Sequence, residues 1–201
     1  ARNIGAKQSN AKYLGFLDND TTVDKNWAIH AKKAFEKDSK LAIIQCKLLL
    51  SSDKSKIDYI GEYLGTNGFL VQHVAATTPD GPLYNQQNYT LAAKSAGMFI
   101  RNDVFKKIKG FDESYFIYVE ETDLGFRSWI AGFTAKLIPN SVVYHHFGTS
   151  TVILGSAKTN YNSKFHGTKN YIQMHIKNLE LLSMLKILPV HVFLWFSLSI
   201  Y

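Results

Sequence analysis

The sequence predicts an α/β domain in which a sheet is flanked by helices. Two apolar runs, at 13–17 and 41–50, read as buried strands, and an amphipathic segment between them reads as a helix. Alternation of strand-like and helix-like segments is typical of α/β sheets. The 201 residues suffice for one domain with a hydrophobic core, and 46% hydrophobic with 19% charged residues is a globular composition.

Capping residues and glycines mark the ends of the predicted helices. Helices are predicted at 2–10, 24–37, 102–109 and 119–131, and a long one from about residue 160 towards the apolar tail. Asp24 is the expected N-cap of the second, with Trp27, Ala31, Ala34 and Phe35 on its apolar face. Gly110 and Gly132 are expected to close the third and fourth helices.

The remaining segments are predicted to be strands and loops. Strands are expected at 13–17, 41–50, 96–101, 133–138 and 142–145, the last two on either side of Pro139 and Asn140. Scattered Gly, Pro, Asn and Asp residues in 51–88 predict loops and short elements facing a substrate.

The charge balance narrows the class of partner. A net charge of +7 and a pI near 9.3 favour anionic partners such as nucleotide diphosphates or a membrane surface. The lysines are dispersed and no basic-aromatic motif occurs, which argues against nucleic acid. The single cysteine, Cys46, has no internal disulfide partner, which fits a reducing compartment and a cytoplasmic catalytic part.

The chain ends in an apolar stretch, 187–201. It is about 15 residues long, whereas a membrane span takes about 20, so a buried core helix is one interpretation. Lys177 and Lys186 precede the stretch, and Trp195 and Tyr201 suit a membrane interface. We therefore predict that residues 179–201 associate with a membrane or begin a transmembrane helix.

Two carboxylates follow the first predicted strand. Asp18 and Asp20 lie where the strand gives way to a loop, and α/β proteins bind ligands beside this edge of the sheet. Carboxylate oxygens suit Mg²⁺ or Mn²⁺, which in turn bridge phosphate oxygens. Asp-Asn-Asp-Thr is also favourable turn chemistry, so a purely structural role is the alternative.

A second group of carboxylates opens the fourth predicted helix. Glu120, Glu121 and Asp123 complement the helix dipole there, and Asp123 can pair with Arg127 at i,i+4 spacing. The flanking residues are strongly aromatic, and a carboxylate held against aromatic surface can act as a general base. Structural and catalytic interpretations both stay open on this evidence.

Two histidines, His145 and His146, end the last predicted strand. Because side chains alternate along a strand, at most one of them points into a cleft. Imidazole is a suitable ligand for Mn²⁺ beside carboxylates. A satisfied core or surface histidine is the alternative.

These signals occur in order with further short motifs. The series is Arg-Asn-Ile-Gly (2–5), Asp-Asn-Asp (18–20), Ser-Ala-Gly-Met-Phe-Ile-Arg (95–101), Gly-Phe-Asp-Glu-Ser-Tyr-Phe (110–116), Tyr-Val-Glu-Glu-Thr-Asp-Leu-Gly-Phe-Arg (118–127), Ala-Gly-Phe (131–133), Pro-Asn-Ser-Val-Val-Tyr-His-His (139–146) and Gly-Thr-Ser-Thr (148–151). It closely resembles glycosyltransferase family 2, in the rhamnosyltransferase-like, O-antigen-type branch. The resemblance covers 1–178, which we take as the catalytic domain, and is most specific over 95–145.

The resemblance implies a GT-A fold, a Rossmann-like mixed sheet flanked by helices, and inverting transfer of a hexosyl or deoxyhexosyl group. The donor would be a nucleotide-diphosphate sugar, and the acceptor a glycan or lipid-linked molecule. Mg²⁺ or Mn²⁺ would be held by Asp20, with Asp18 and His145 beside it. Glu121 falls at the general-base position, where relatives have Asp, and Glu120 and Asp123 are the other candidates. The implied nucleotide-sugar contacts are Arg2, Asn3, Asp18, Asp20, Gly97 and Lys169.

Two departures qualify this likeness. The strand, helix and strand that hold the nucleotide base in the family are missing before Asp18, so we expect a fold incomplete at the N-terminus and weak nucleotide binding. No Gln-x-x-Arg-Trp motif follows the base, which predicts non-processive transfer.

A non-catalytic, membrane-bound carbohydrate- or nucleotide-binding module is the alternative. A phosphohydrolase or nucleotidyltransferase would need further clustered carboxylates or a phosphate-binding glycine loop, and the sequence has neither.

Overall fold

The structure is a computed structural model that describes residues 1–146 and 156–199. The motif at 148–151, the side chain of Trp195 and all of Tyr201 lie outside the described residues. The strands are β1 (Tyr13–Phe16), β2 (Thr21–Val23), β3 (Leu41–Leu50), β4 (Ile57–Tyr59), β5 (Glu62–Leu64), β6 (Leu70–Gln72), β7 (Met98–Arg101) and β8 (Thr134–His145). The helices are α1 (Arg2–Lys7), α2 (Trp27–Lys37), α3 (Asn102–Lys107), α4 (Glu120–Ile130), α5 (Ser156–Asn178) and α6 (Leu181–Ser199).

A mixed sheet organises the fold. Its strand order is β1–β7–β3–β8–β2, with β4 paired to β3 off this path. β3 and β8 run parallel, whereas β7 is antiparallel to both β1 and β3, and β2 is antiparallel to β8. The predicted mixed α/β architecture is confirmed.

The long central strand β3 forms much of the core. Nine of its ten residues are buried, as its mostly apolar sequence predicts for a strand covered on both faces, and the buried set includes Gln45 and Lys47. On one face, Ala31 and Phe35 of α2 pack against it, with Trp27 and Ala34 partly buried beside them. Burying a side chain as large as Phe35 contributes about 1.5–3 kcal/mol.

Several element boundaries differ from the sequence predictions; for example, α1 ends at Lys7 rather than at residue 10, and α3 at Lys107 rather than at residue 109. α2 begins at Trp27 rather than after Asp24, because the Asp24 carboxylate accepts a hydrogen bond from the Asn26 backbone N–H at 2.8 Å and closes a turn there. The two strands predicted around Pro139 are one strand, β8, whose pairing with β3 skips from Ile138 to Val142. The long helix predicted from residue 160 is two helices, α5 and α6, with a break between Asn178 and Leu181.

The helices α5 and α6 hold the loop between β5 and β6. Nε2 of His175 and Nε2 of His191 each lie 2.9 Å from a backbone oxygen of this loop, at Gly68 and Asn67 respectively. Gly68 has φ +81°, and a Cβ there would lie 2.3 Å from a methyl carbon of Ile187, so the close approach requires glycine. Within 1–146 and 156–199, no helix is both long and apolar enough to cross a membrane.

Candidate active site

The sheet topology brings three predicted metal ligands together. Asp18 follows β1, Asp20 precedes β2, and His145 ends β8, where the pairing of Thr21 with His145 aligns the two strands. One ligand atom from each of the three side chains lies within 4.8 Å of the other two. Nε2 of His145 is 3.4 Å from Oδ1 of Asp20. Two carboxylates and an imidazole at this spacing fit one Mn²⁺ or Mg²⁺ ion.

A fourth residue, Asp58, orients the histidine. Its side chain in β4 is only 2% exposed, and Oδ2 lies 2.9 Å from Nδ1 of His145. A carboxylate behind a ligating imidazole fixes its tautomer, so that Nε2 presents its lone pair towards the metal position. This hydrogen bond raises the pKa of His145, burial opposes the rise, and the charges of Asp58, Asp20 and Asp18 add to it.

The raised pKa has a consequence for pH dependence. A histidine that binds a metal must be the neutral imidazole, so at this candidate site protons would compete with an ion for His145. Because the pKa lies above the ordinary value of about 6.5, this competition begins at a higher pH than for an isolated histidine. Metal affinity is therefore expected to fall as the pH decreases through the raised pKa.

Replacing Asp58 with Asn tests this second layer of the site. Asn retains a hydrogen-bond acceptor for Nδ1 but removes the buried charge, so we expect Mn²⁺ affinity to fall by about 10- to 100-fold. Isothermal titration with MnCl₂ measures it. Asp53→Asn is the matched control, because Asp53 lies in the same segment of the chain, and its side chain is 41% exposed and contacts Ser55 and Lys56. Equal affinities for wild type and Asp58→Asn would contradict the role of Asp58.

Arg2 connects the metal cluster with the candidate bases. Its guanidinium lies 3.3 Å from Oδ1 of Asp18, 2.8 Å from Oε1 of Glu120 and 3.7 Å from Oε1 of Glu121. A single planar guanidinium therefore spans the distance between the two groups of carboxylates. The predicted metal ligands and the predicted bases share one site.

Glu121 and Glu120 differ in how they are held. Oε1 of Glu121 accepts hydrogen bonds from the backbone N–H, at 2.9 Å, and the hydroxyl of Ser95, and the side chain is 22% exposed. Glu120 is bonded to Arg2 and 13% exposed. Its Oε2 is buried with no hydrogen-bond partner among the described residues. Burial and the charge of Glu121 raise the pKa of Glu120, and Arg2 opposes the rise.

Asp123 has a structural environment. Its carboxylate is fully buried and accepts hydrogen bonds from the Tyr115 hydroxyl at 3.1 Å and from Asn178 at 2.9 Å. It also pairs with Arg127, with both nitrogen–oxygen distances 2.7 Å. A carboxylate so enclosed is not open to a ligand, so Glu121 and Glu120 are the two predicted bases that the geometry leaves as candidates, and their role stays a prediction.

Three residues predicted to contact the nucleotide make hydrogen bonds or packing contacts with other parts of the protein. Asn3 donates to the backbone oxygen of Phe111 at 2.8 Å and accepts from its N–H at 3.0 Å. Lys169 donates to the backbone oxygen of Ser114 at 3.0 Å. Gly97 is buried against β3, since a Cβ there would lie 2.5 Å from a methyl carbon of Leu48. Their roles towards a nucleotide stay predictions.

The sequence is similar to proteins whose names refer to O-antigen biosynthesis and rhamnosyl transfer. No family model matches the chain. The O-antigen biosynthesis protein RfbC of Myxococcus xanthus is 27% identical over 155 residues, which are 74% of this chain and 12% of that protein. The N-acetylglucosaminyl-diphospho-decaprenol L-rhamnosyltransferase of two Mycobacterium tuberculosis strains is 41% identical over 54 residues, 27% of this chain and 18% of the relative. The chain thus spans less than a fifth of the length of each relative.

Solved structures share the fold. GalNAc-T7, crystallised with UDP, GalNAc and Mn²⁺, has a TM-score of 0.53 at 16% identity, covering 72% of this chain and 29% of that chain. TarS of S. aureus has a TM-score of 0.55 at 11% identity, covering 95% of this chain and 30% of that chain. At these identities the likeness concerns the fold.

The relatives and the fold together confirm the resemblance to family 2 glycosyltransferases that the motifs predicted. The chain has a fold of the GT-A type, and its sequence is similar to proteins named for O-antigen biosynthesis and rhamnosyl transfer. The expected absence of a first nucleotide-binding part stays a prediction.

Proposed function

We propose that this chain catalyses inverting, non-processive transfer of a hexosyl or deoxyhexosyl group from a nucleotide-diphosphate sugar, dependent on Mn²⁺ or Mg²⁺. The observation that carries the proposal is the single site formed by Asp18, Asp20 and His145 with Glu120 and Glu121, joined by Arg2. An ion at the candidate metal position would stabilise the departing diphosphate, and the candidate base beside it would take the proton of the attacking hydroxyl.

The reaction is a direct displacement at the anomeric carbon. Glu121 accepts the proton of an acceptor hydroxyl while the oxygen of that hydroxyl forms the new bond to the anomeric carbon. The bond from that carbon to the diphosphate oxygen breaks, and the nucleoside diphosphate leaves with the electron pair on the opposite face. One displacement with one base gives inversion of configuration.

The side chains of the site have separate roles in this reaction. Asp18, Asp20 and His145 would hold the ion, and a bound Mn²⁺ or Mg²⁺ supplies positive charge opposite the departing diphosphate. Arg2 can donate hydrogen bonds to phosphate oxygens in place of the carboxylates it contacts in this structure. Ser95 fixes Glu121 through two hydrogen bonds, so that its position is set before the acceptor arrives.

The relatives suggest the substrates. Their names specify O-antigen biosynthesis and L-rhamnose transfer to N-acetylglucosaminyl-diphospho-decaprenol. For this chain we therefore propose a sugar such as L-rhamnose as the transferred group, and a glycan or lipid-linked glycan as the acceptor. The net charge of +7 suits both an anionic donor and a diphosphate-linked acceptor.

A donor panel tests the proposal. Purified protein is incubated with MnCl₂ and dTDP-L-rhamnose, UDP-glucose, UDP-N-acetylglucosamine or GDP-mannose, with and without a synthetic prenyl-diphosphate-linked N-acetylglucosamine, and nucleoside diphosphate release is measured. We expect release that EDTA abolishes and the acceptor stimulates. Binding of donor and Mn²⁺ with no release under any condition would favour the non-catalytic binding module.

We also propose that the protein associates with the cytoplasmic face of a membrane through α6. Large apolar side chains of this helix are exposed, among them Leu182, Leu185, Phe193 and Phe196. An exposed apolar helix on a basic protein fits an interfacial position on an anionic bilayer. This arrangement would bring the domain to lipid-linked acceptors.

Vesicle sedimentation tests the membrane proposal. We expect the protein to sediment with vesicles of phosphatidylglycerol and phosphatidylcholine, and Phe193→Glu to reduce the bound fraction, because it places a charge on the exposed apolar surface. Leu83→Glu is the matched control, since Leu83 is 71% exposed and Phe193 is 70% exposed. Equal binding by the two variants would contradict a role for α6.

A further inference from the structure

Side chains of the helix α5 bond residues on both sides of the candidate bases Glu120 and Glu121. Lys169 and Gln173 bind Ser114, Lys177 pairs with Asp112, and Asn178 binds Asp123. Asn170 of the same helix makes a different kind of contact, because it bonds backbone oxygens as far as Tyr118, two residues before Glu120.

Asn170 is fully buried and donates to three backbone oxygens. Its Nδ2 lies 2.8 Å from the oxygen of Tyr115, 2.7 Å from that of Ile117 and 2.8 Å from that of Tyr118. The amide has two hydrogens, so the three carbonyls share them. Three acceptors also fix which end of the amide faces them, because the carboxamide oxygen would be repelled there.

The backbone that these bonds hold is strained. Phe116, Tyr118 and Val119 have positive φ of 63°, 68° and 68°, which large and β-branched side chains disfavour. Val119 is in the left-handed helical region, whereas Phe116, with ψ −63°, is the central residue of a γ-turn closed by the Ile117 N–H and the Tyr115 oxygen at 2.8 Å. Val119 is the N-cap residue of α4, and Glu120 is the first residue of that helix. Strain of this kind persists only where the surroundings fix the conformation, and it concentrates at functional sites.

The strained loop also places an aromatic ring at the site. Phe116 is 78% exposed although it is large and apolar. It lines a cavity of about 580 Å³ together with Arg2 and Glu120. The conformation of 116–119 therefore determines both the direction in which the candidate bases leave the loop and the position of a ring beside them.

We propose that Asn170 is a positioning residue for sugar transfer. Its three backbone hydrogen bonds hold the strained loop 116–119 in place. That loop in turn positions Glu120, Glu121 and Phe116 at the site. Asn170 does not touch substrate, and acts through the loop. This inference rests on the proposed transferase function.

Two variants and one control test it. Asn170→Asp keeps the shape but sets a carboxylate oxygen against three carbonyl oxygens. Asn170→Ala removes the donors without adding charge, and serves if the first variant does not fold. Gln173→Ala is the control, because Gln173 lies on the same helix and donates to the neighbouring Ser114 hydroxyl at 2.6 Å, whereas no hydrogen bond joins it to 116–119 among the described residues.

The first readout does not depend on activity. Hydrogen exchange measured by mass spectrometry is expected to accelerate in 116–121 for both Asn170 variants and to stay at the wild-type rate for Gln173→Ala, because only the former release the loop. Wild-type exchange at 116–121 in a folded Asn170 variant would overturn the proposal.

The second readout is turnover of dTDP-L-rhamnose, or of the donor in the panel that the wild type uses, per folded molecule. We expect kcat to fall about 100-fold with unchanged donor KM and Mn²⁺ affinity, since a displacement near 1 Å costs this much and the metal ligands lie elsewhere. General destabilisation would leave kcat per folded molecule unchanged, which would overturn the proposal. If the wild type turns over no donor, the proposed function fails, and the exchange rates still decide whether Asn170 holds the loop.

Discussion

Replacing Glu121 with Gln is expected to reduce sugar transfer by about 10²- to 10⁴-fold, the usual contribution of a general base. Gln is nearly isosteric and its oxygen can still accept the hydrogen bonds of Ser95, so the side chain should keep its position. Only the capacity to accept the acceptor's proton is lost. Mn²⁺ and donor binding should be unchanged, because the candidate metal ligands are other residues. Initial rates of nucleoside diphosphate release with acceptor present measure the effect.

Two further variants make the Glu121 result specific. Glu36→Gln controls for loss of a carboxylate, because Glu36 lies on α2 with a 50% exposed side chain. Glu120→Gln removes the ion pair with Arg2 and should cost less than the change at Glu121. A larger loss at Glu120 than at Glu121 would transfer the base role to Glu120. Near-wild-type rates for both would contradict a carboxylate base in this helix.

Replacing Asp20 with Asn is expected to abolish detectable Mn²⁺ binding and, with it, turnover. The amide oxygen carries no net charge, and divalent ions are held largely by charged oxygens, so one lost carboxylate in a set of three ligands removes much of the attraction. His145 would also lose one of the charges that raise its pKa. Electron paramagnetic resonance of free Mn²⁺ measures binding, and diphosphate release measures turnover.

The control for Asp20 is close in sequence. Asp24→Asn keeps the turn, since an Asn oxygen can also accept the bond from the Asn26 N–H, and Asp24 lies outside the cluster of Asp18, Asp20 and His145. We expect wild-type Mn²⁺ binding for this variant. Tight Mn²⁺ binding by Asp20→Asn would show that the ion binds elsewhere, and the assignment of this cluster would be wrong.

The parts of the fold that local patterns encode were predictable. β3 has the bounds predicted from its apolar run, and the apolar face of α2 packs as its helical spacing indicates. The break between α5 and α6 was not predicted, because the helical pattern does not mark it. The shift of pairing in β8 depends on its partner strand, which local sequence does not specify.

The same distinction holds for the site: residues at the ends of predicted strands could be inferred from the sequence, whereas residues positioned by distant partners could not. Asp18, Asp20 and His145 stand at the ends of predicted strands, so the sheet edge could be inferred from the sequence. Asp58 could not, because a single acid in an irregular segment has no periodic signal, and its partner His145 lies 87 positions away. Its occurrence between apolar residues, Ile57 and Tyr59, was the available signal. Asn170 is likewise defined by carbonyl groups more than 50 positions away.

The most direct measurement is the anomalous diffraction of crystals grown with MnCl₂ and UDP. We expect one manganese peak about 2.0–2.2 Å from ligand atoms of Asp20 and His145, with Asp18 in direct or water-mediated contact. The diphosphate should lie on the open side of the ion, towards Arg2 and Glu121. A manganese peak at other residues, or none with UDP bound, would contradict the metal-dependent transferase site described above.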